Sequence, residues 1–187
     1  MKREILLERL KEKSKKIMGE GKYFHDFAHV TNVYKNVEKL LKYEQGDRLV
    51  LLTAALFHDV RRDSQSHGTK GAIYTKKFLK SIPEFPQDLI DSIVKVIDSH
   101  NKEQKTQDEK LFYDADKMDA FNEVATARSF MMYSKEGLSL KEACFEYLDL
   151  IDHFFNKLHT ETAKKLIKKE YKETKQFALR LVKKYKQ

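Results

Sequence analysis

The sequence predicts an all-α protein, and three observations carry that prediction. Lys, Glu, Leu and Ala are abundant, while the 187 residues include two prolines and six glycines, a balance that suits long helices and leaves few turns for a sheet. Apolar residues recur at helical spacing through most of the chain. No stretch alternates well enough for a strand, and there is no internal repeat or low-complexity tract. With 41% hydrophobic residues, the chain can build a real core within one domain, so residues 1–187 read as a single domain.

Taken in order, residues 2–18 form a first helix with Ile5, Leu6, Leu10 and Ile17 on one side, ended by Gly19-Glu20-Gly21. A second covers about 28–43, striped by Val30, Val33, Val37, Leu40 and Leu41. The third, about 47–60, is apolar almost all round, which predicts a helix buried in the middle of the domain. A polar loop follows from Arg61 to Ser66. Helices at about 68–80 and 87–100 are separated by Ile82-Pro83-Glu84-Phe85-Pro86, because proline bars helix continuation. Residues 101–109 are polar and read as loop. Helices at about 116–134, 139–157 and 160–185 complete the chain, divided by Ser134-Lys135-Glu136-Gly137 and by Leu158-His159-Thr160.

Composition narrows the function classes. No apolar run approaches the roughly 20 residues that span a bilayer, and acids and lysines break any secretory core near the N-terminus. The expected location is therefore the cytoplasm, with no membrane partner. The lone cysteine, Cys144, excludes an internal disulfide and a cysteine-based zinc site, and its apolar helical setting predicts a buried structural thiol. The net charge of +8 is local: residues 164–187 hold ten Lys or Arg against Glu170 and Glu173, and the rest is balanced at 27 of each sign. Within that segment Ile167, Tyr171, Ala178, Leu181, Val182 and Tyr185 recur at helical spacing. The segment reads as a basic amphipathic helix with one packed face and a solvated lysine face; a face that attracts RNA or another polyanion is the weaker reading.

The informative residues are polar ones placed where the pattern predicts burial. His58 and Asp59 end the most hydrophobic helix, where an ionised carboxylate costs several kcal/mol unless it is paired or coordinates a metal. His29 opens another apolar helix. Asp116 follows Leu111-Phe112-Tyr113 at the start of a third. A core hydrogen bond explains one His-Asp dipeptide equally well, but four such positions spread over three apolar helices point to a shared ion. Two imidazoles and two carboxylates suit Mn, Fe, Mg or Co, with positions left for water and substrate.

These residues carry a resemblance. His29, Leu56-Phe57-His58-Asp59 and Asp114-Ala115-Asp116-Lys117-Met118-Asp119-Ala120 resemble the HD-domain superfamily of metal-dependent phosphohydrolases, over about residues 22–170. The likeness is greatest to a small bacterial branch that includes nucleotide pyrophosphohydrolases. It is carried further by His25-Asp26-Phe27-Ala28-His29 and by His153-Phe154-Phe155-Asn156-Lys157-Leu158. The resemblance implies an HD-type helical bundle, with His29, His58, Asp59 and Asp116 as metal ligands and a phosphorylated small molecule, a nucleotide above all, as substrate. It also implies a second ion at His67, in His67-Gly68-Thr69-Lys70-Gly71-Ala72, and at His100. Without such an ion, His67 reads as a loop histidine or helix cap and His100 as a cation at a helix C-terminus.

A divalent ion lowers the pKa of bound water and neutralises charge on phosphoryl oxygens. A nearby carboxylate or imidazole then takes the water's proton, and Asp63, Asp119 and His25 are the candidates. Phosphate-binding cations would come from Arg61, Arg62, Lys70, Lys117 and Arg128, with Arg62 and Lys117 favoured as neighbours of the ligands. The rival class is a non-catalytic helical module that holds RNA or another polyanion through the C-terminal helix. Whether the chain forms an oligomer is open from sequence.

Overall fold

The structure, a computed structural model, describes residues 2–18, 27–61 and 67–185, with Lys2 and His67 by their backbone alone. Nine α-helices are found among the described residues, and no strand: α1 (Lys2–Met18), α2 (Phe27–Leu40), α3 (Arg48–Phe57), α4 (His67–Lys80), α5 (Ile90–Ser99), α6 (Gln107–Met118), α7 (Glu123–Lys135), α8 (Leu140–Lys157) and α9 (Glu161–Lys183). A 3-10 turn at Gln87–Leu89 leads into α5. The chain divides into two compact units, residues 1–116 and 117–187.

In the first unit α3 is the axis. Every residue from Leu49 to Phe57 is buried, as the all-round apolar pattern requires, and α1, α2, α4 and α5 pack against it. Its N-terminus is fixed by Asp47, whose carboxylate accepts from the backbone N–H of Leu49 and Val50 at 2.9 and 3.1 Å, satisfying donors a helix start leaves open. Fully burying a Leu or Phe side chain contributes about 1.5–3 kcal/mol, so α3 anchors the unit and places His58 at its end. From α1, Ser14 donates its hydroxyl to the Leu56 carbonyl.

Two expectations are corrected. The buried face of α1 is Leu6, Leu7 and Leu10, while Ile5 is 58% and Ile17 36% exposed; the run of 6, 7, 10 and 14 keeps one helical face, and Ile5 and Ile17 fall off it. The stretch 101–109 is not all loop, because α6 begins at Gln107. Its start is a reciprocal cap: the Glu109 N–H donates to Thr106 Oγ1 and the Thr106 N–H to Glu109 Oε2, both at 3.3 Å. Asp116 therefore lies in the last turn of α6, not at the start of a helix. The chain then turns at 119–122, and Asn122 caps α7 by accepting from the Ala125 N–H at 2.9 Å.

In the second unit α7 packs on α8 and α8 on α9. Ser139 and Glu142 form a capping box at the head of α8, and Thr160 caps α9. Cys144 is buried, as is Tyr147, whose hydroxyl meets that of Thr126 at 2.6 Å. The amphipathic reading of α9 holds: Ala163, Ile167, Thr174, Ala178 and Val182 are buried, whereas Tyr185, expected on that face, is exposed. Among the described residues no helix is long and apolar enough to cross a membrane.

Candidate metal centre

Four polar side chains that the sequence separates by as much as 87 positions meet in the first unit. His29 comes from the first turn of α2, His58 and Asp59 from the end of α3, and Asp116 from the last turn of α6. All four are buried. One ligand atom each from His29, His58 and Asp59 lies within 4.8 Å of the others. His29 Nε2 stands 3.2 Å from His58 Nε2, 3.2 Å from Asp116 Oδ1 and 3.7 Å from Asp59 Oδ2. His58 Nε2 stands 3.5 Å from Asp59 Oδ2 and 3.8 Å from Asp116 Oδ1.

The donor set fits a divalent cation. Donors about 2.0–2.2 Å from one ion lie roughly 3–3.5 Å from each other at tetrahedral or octahedral angles, close to the spacings found here. The tautomer of His58 agrees. Its Nδ1 is 3.0 Å from the Ala55 carbonyl oxygen, which only accepts, so Nδ1 carries the proton and Nε2 turns its lone pair to the centre. Burial lowers the His58 imidazole pKa, against the opposing pull of Asp59 and Asp116, which keeps the ring in the neutral form a ligand needs. Two carboxylates bring two negative charges for a divalent ion to balance.

His100 closes α5 beside this cluster, its ring centroid 5.6 Å from that of His58. Its Nδ1 donates to the Ile97 carbonyl at 2.5 Å, and Nε2 accepts from Asn101 Nδ2 at 2.9 Å. Burial first, and His58 second, push its pKa down to about 4. Reading it as a helix-end cation therefore fails: the ring is 1% exposed and neutral near pH 7. The head of α4 rests on this ring, since a Cβ at Gly68 would stand 3.0 Å from His100 Cε1. His67 precedes Gly68, but its side chain, like His25, Arg62 and Asp63, lies outside the described residues.

Lys70 and Arg61 are exposed and line a surface groove along α4. Lys117 and Asp119 belong to the second unit. There, Lys117 Nζ is 5.1 Å from the centre of the Phe154 ring. Asp119 is buried, accepts from Asn122 Nδ2 at 3.1 Å and lies 3.5 Å from Arg128 Nη1. His153 and His159 are exposed.

Two further residues support the centre, and the first of them, Asn36, escaped the sequence reading. Asn36 is buried and donates from Nδ2 to the Ala115 carbonyl at 3.0 Å, tying α2 to α6 next to Asp116. Its signal was present: it follows His29 by seven residues, two turns along the same helix face. Phe112 is fully buried, with its ring 5.5 Å from His58 and 6.4 Å from His100, an apolar wall that limits water around the imidazoles.

Residues 26–121, about half of the chain, match the HD domain family, and the protein belongs to that family. It is 26% identical to the uncharacterized protein YpgQ of Bacillus subtilis over 174 residues, 85% of this chain and 83% of that protein. Among solved structures it resembles the Lin1889 protein of Listeria innocua, with a TM-score of 0.77, 26% identity and coverage of 96% and 97% of the two chains. The crystal structure of B. subtilis YpgQ in complex with ADP has a TM-score of 0.75 at 20% identity, covering 95% and 97%. An HD-superfamily hydrolase from Bacillus thuringiensis has 0.74 at 20% identity, covering 98% of each. The last two likenesses bear on the fold.

Proposed function

We propose that the protein is a cytoplasmic, divalent-metal-dependent phosphohydrolase acting on a phosphate ester or anhydride of a small phosphorylated molecule, specifically a nucleotide. The convergence of His29, His58, Asp59 and Asp116 carries this reading. Membership of the HD domain family supports it, and the ADP bound by YpgQ supports a nucleotide as substrate. Taking the whole chain as one domain is part of the proposal, because Lin1889 resembles 96% of it.

The four side chains would hold Mn, Fe, Mg or Co, and a bound ion of that kind supplies an activated water and offsets charge on the phosphoryl oxygens. The protein's part is to fix the donors: the Ala55 carbonyl orients His58, and Asn36 holds the α6 turn that carries Asp116. The general-base role goes to His25, Asp63 or Asp119, and phosphate contacts go to Arg62, Lys117 and Lys70. His67 and His100 would hold a second ion, with the His100 Nε2 lone pair turned from Asn101 to the metal.

A screen of each metal against nucleoside mono-, di- and triphosphates, reading released phosphate and pyrophosphate, tests the reading. Hydrolysis should require added metal and fall to background in His58→Ala and Asp59→Ala. Activity that survives both substitutions would sink it. The rival, a non-catalytic module binding RNA or another polyanion, rests on the exposed Lys165, Lys168, Lys169, Lys172, Arg180 and Lys183 of α9. It predicts RNA affinity that falls steeply with salt and no metal-dependent turnover.

A further inference from the structure

A groove of about 730 Å³ runs along α4, lined by Arg61, Lys70, Ile73, Tyr74, Lys77 and Phe78. That volume is within the usual range of small-molecule sites, about 300–1,000 Å³. The helix that carries it also crosses the end of α3, where His58 sits. At Gly71 a Cβ would lie 3.0 Å from the His58 carbonyl oxygen, so α4 crosses the end of α3 at a residue kept small by that approach. Lys70, just before this crossing, and Tyr74, Lys77 and Phe78 after it share one flank of α4, and Arg61 comes two residues after Asp59.

The lining is selective in its chemistry. It has three cations and no carboxylate. Tyr74 and Phe78 lie parallel, with centroids 6.4 Å apart and planes within 7°, and the Arg61 guanidinium stands 4.7 Å from the Tyr74 centroid. Ile73 adds an apolar wall that is 66% exposed. Flat aromatic surface beside clustered cations recognises a group that is both planar and anionic. A plain phosphate would use only the charges, and a metal cation would be repelled by them.

We propose that this groove binds the base and the non-reacting phosphates of a nucleotide whose reacting phosphate lies at the metal centre, a placement that rests on the phosphohydrolase reading above. Calorimetric titration of the Mn-loaded protein with ADP, adenosine and pyrophosphate tests it. In Lys70→Glu/Lys77→Glu, where both positions are exposed, ADP affinity should fall about tenfold or more, with helicity and metal content kept. Lys70→Arg/Lys77→Arg should stay within about threefold of the natural protein, since charge is preserved. Tyr74→Leu should weaken ADP and adenosine and leave pyrophosphate unchanged. The groove is overturned if ADP fails to bind, if charge reversal leaves its affinity unchanged, or if Tyr74→Leu affects ADP and pyrophosphate alike. Failure of the phosphohydrolase reading is distinguishable: metal bound and ADP held through the groove, with no nucleotide hydrolysed, would remove the reaction and leave the groove standing.

Discussion

At His58 the two ring nitrogens have separate duties. Nδ1 is spent on the Ala55 carbonyl, and Nε2 is left to meet His29, Asp59 and Asp116. Asp59 carries the opposite risk, since a carboxylate buried to 3% exposure is costly without a cation. Asp59→Ala should therefore abolish metal binding yet raise the thermal midpoint of the metal-free protein; a midpoint lowered by several degrees would show that the carboxylate is paid for within the apo structure. Cys144 gives a second residue-scale expectation. It is 1% exposed and burial raises its thiol pKa, so less thiolate is present at pH 8 than in a free cysteine. A thiol reagent should label it slowly in native protein and fully in denaturant; fast native labelling would contradict its placement. At this scale the sequence was most legible where polarity conflicts with burial, as at His29, His58, Asp59 and Asp116. Asn36 was passed over despite sharing a helix face with His29, because an asparagine in an apolar stripe reads as an exposed edge until the partner carbonyl of Ala115 is known.

Helix types were readable from periodicity, and boundaries were less so. The polar stretch before Leu111 concealed the start of α6, although Thr106-Gln107-Asp108-Glu109 spells a capping box; composition outweighed capping there. The cost of that misreading was positional, since it put Asp116 at a helix start instead of in a last turn. If the cap holds α6 in place, Thr106→Ala should cost about 1 kcal/mol of stability and weaken metal binding as well. An unchanged unfolding midpoint in urea would count against it. The crossing at Gly71 gives a sharper case. Alanine there gains about 1 kcal/mol of helix propensity, but its Cβ would press on the backbone oxygen of His58 at 3.0 Å. Overpacking against backbone costs about 1–3 kcal/mol, so Gly71→Ala should be destabilising on balance and should reduce metal affinity. A stabilised variant with unchanged affinity would show that α4 can shift freely.

For the molecule as a whole, the net charge of +8 is concentrated in residues 164–187 while the metal centre is built from residues 29–116, so basicity and chemistry belong to different parts of the chain. Binding to the folded state alone stabilises by mass action, about 2.7 kcal/mol at a hundredfold excess over Kd. In a protein of this size that corresponds to a rise of about 5–10 °C in thermal midpoint on adding Mn, absent in Asp59→Ala. The all-α architecture was legible in full, because helical periodicity and scarce proline and glycine agree along the whole chain. The division into two units was not, since α6 runs through the boundary without a linker. Whether His29, His58, Asp59 and Asp116 hold a divalent ion is decided by elemental analysis of purified protein beside Asp59→Ala after equal exposure to Mn and dialysis. About one ion per chain or more is expected in the natural protein and close to none in the variant, with matching helical circular dichroism. Equal metal content in the two, or none in the natural protein after loading, would contradict a shared ion site.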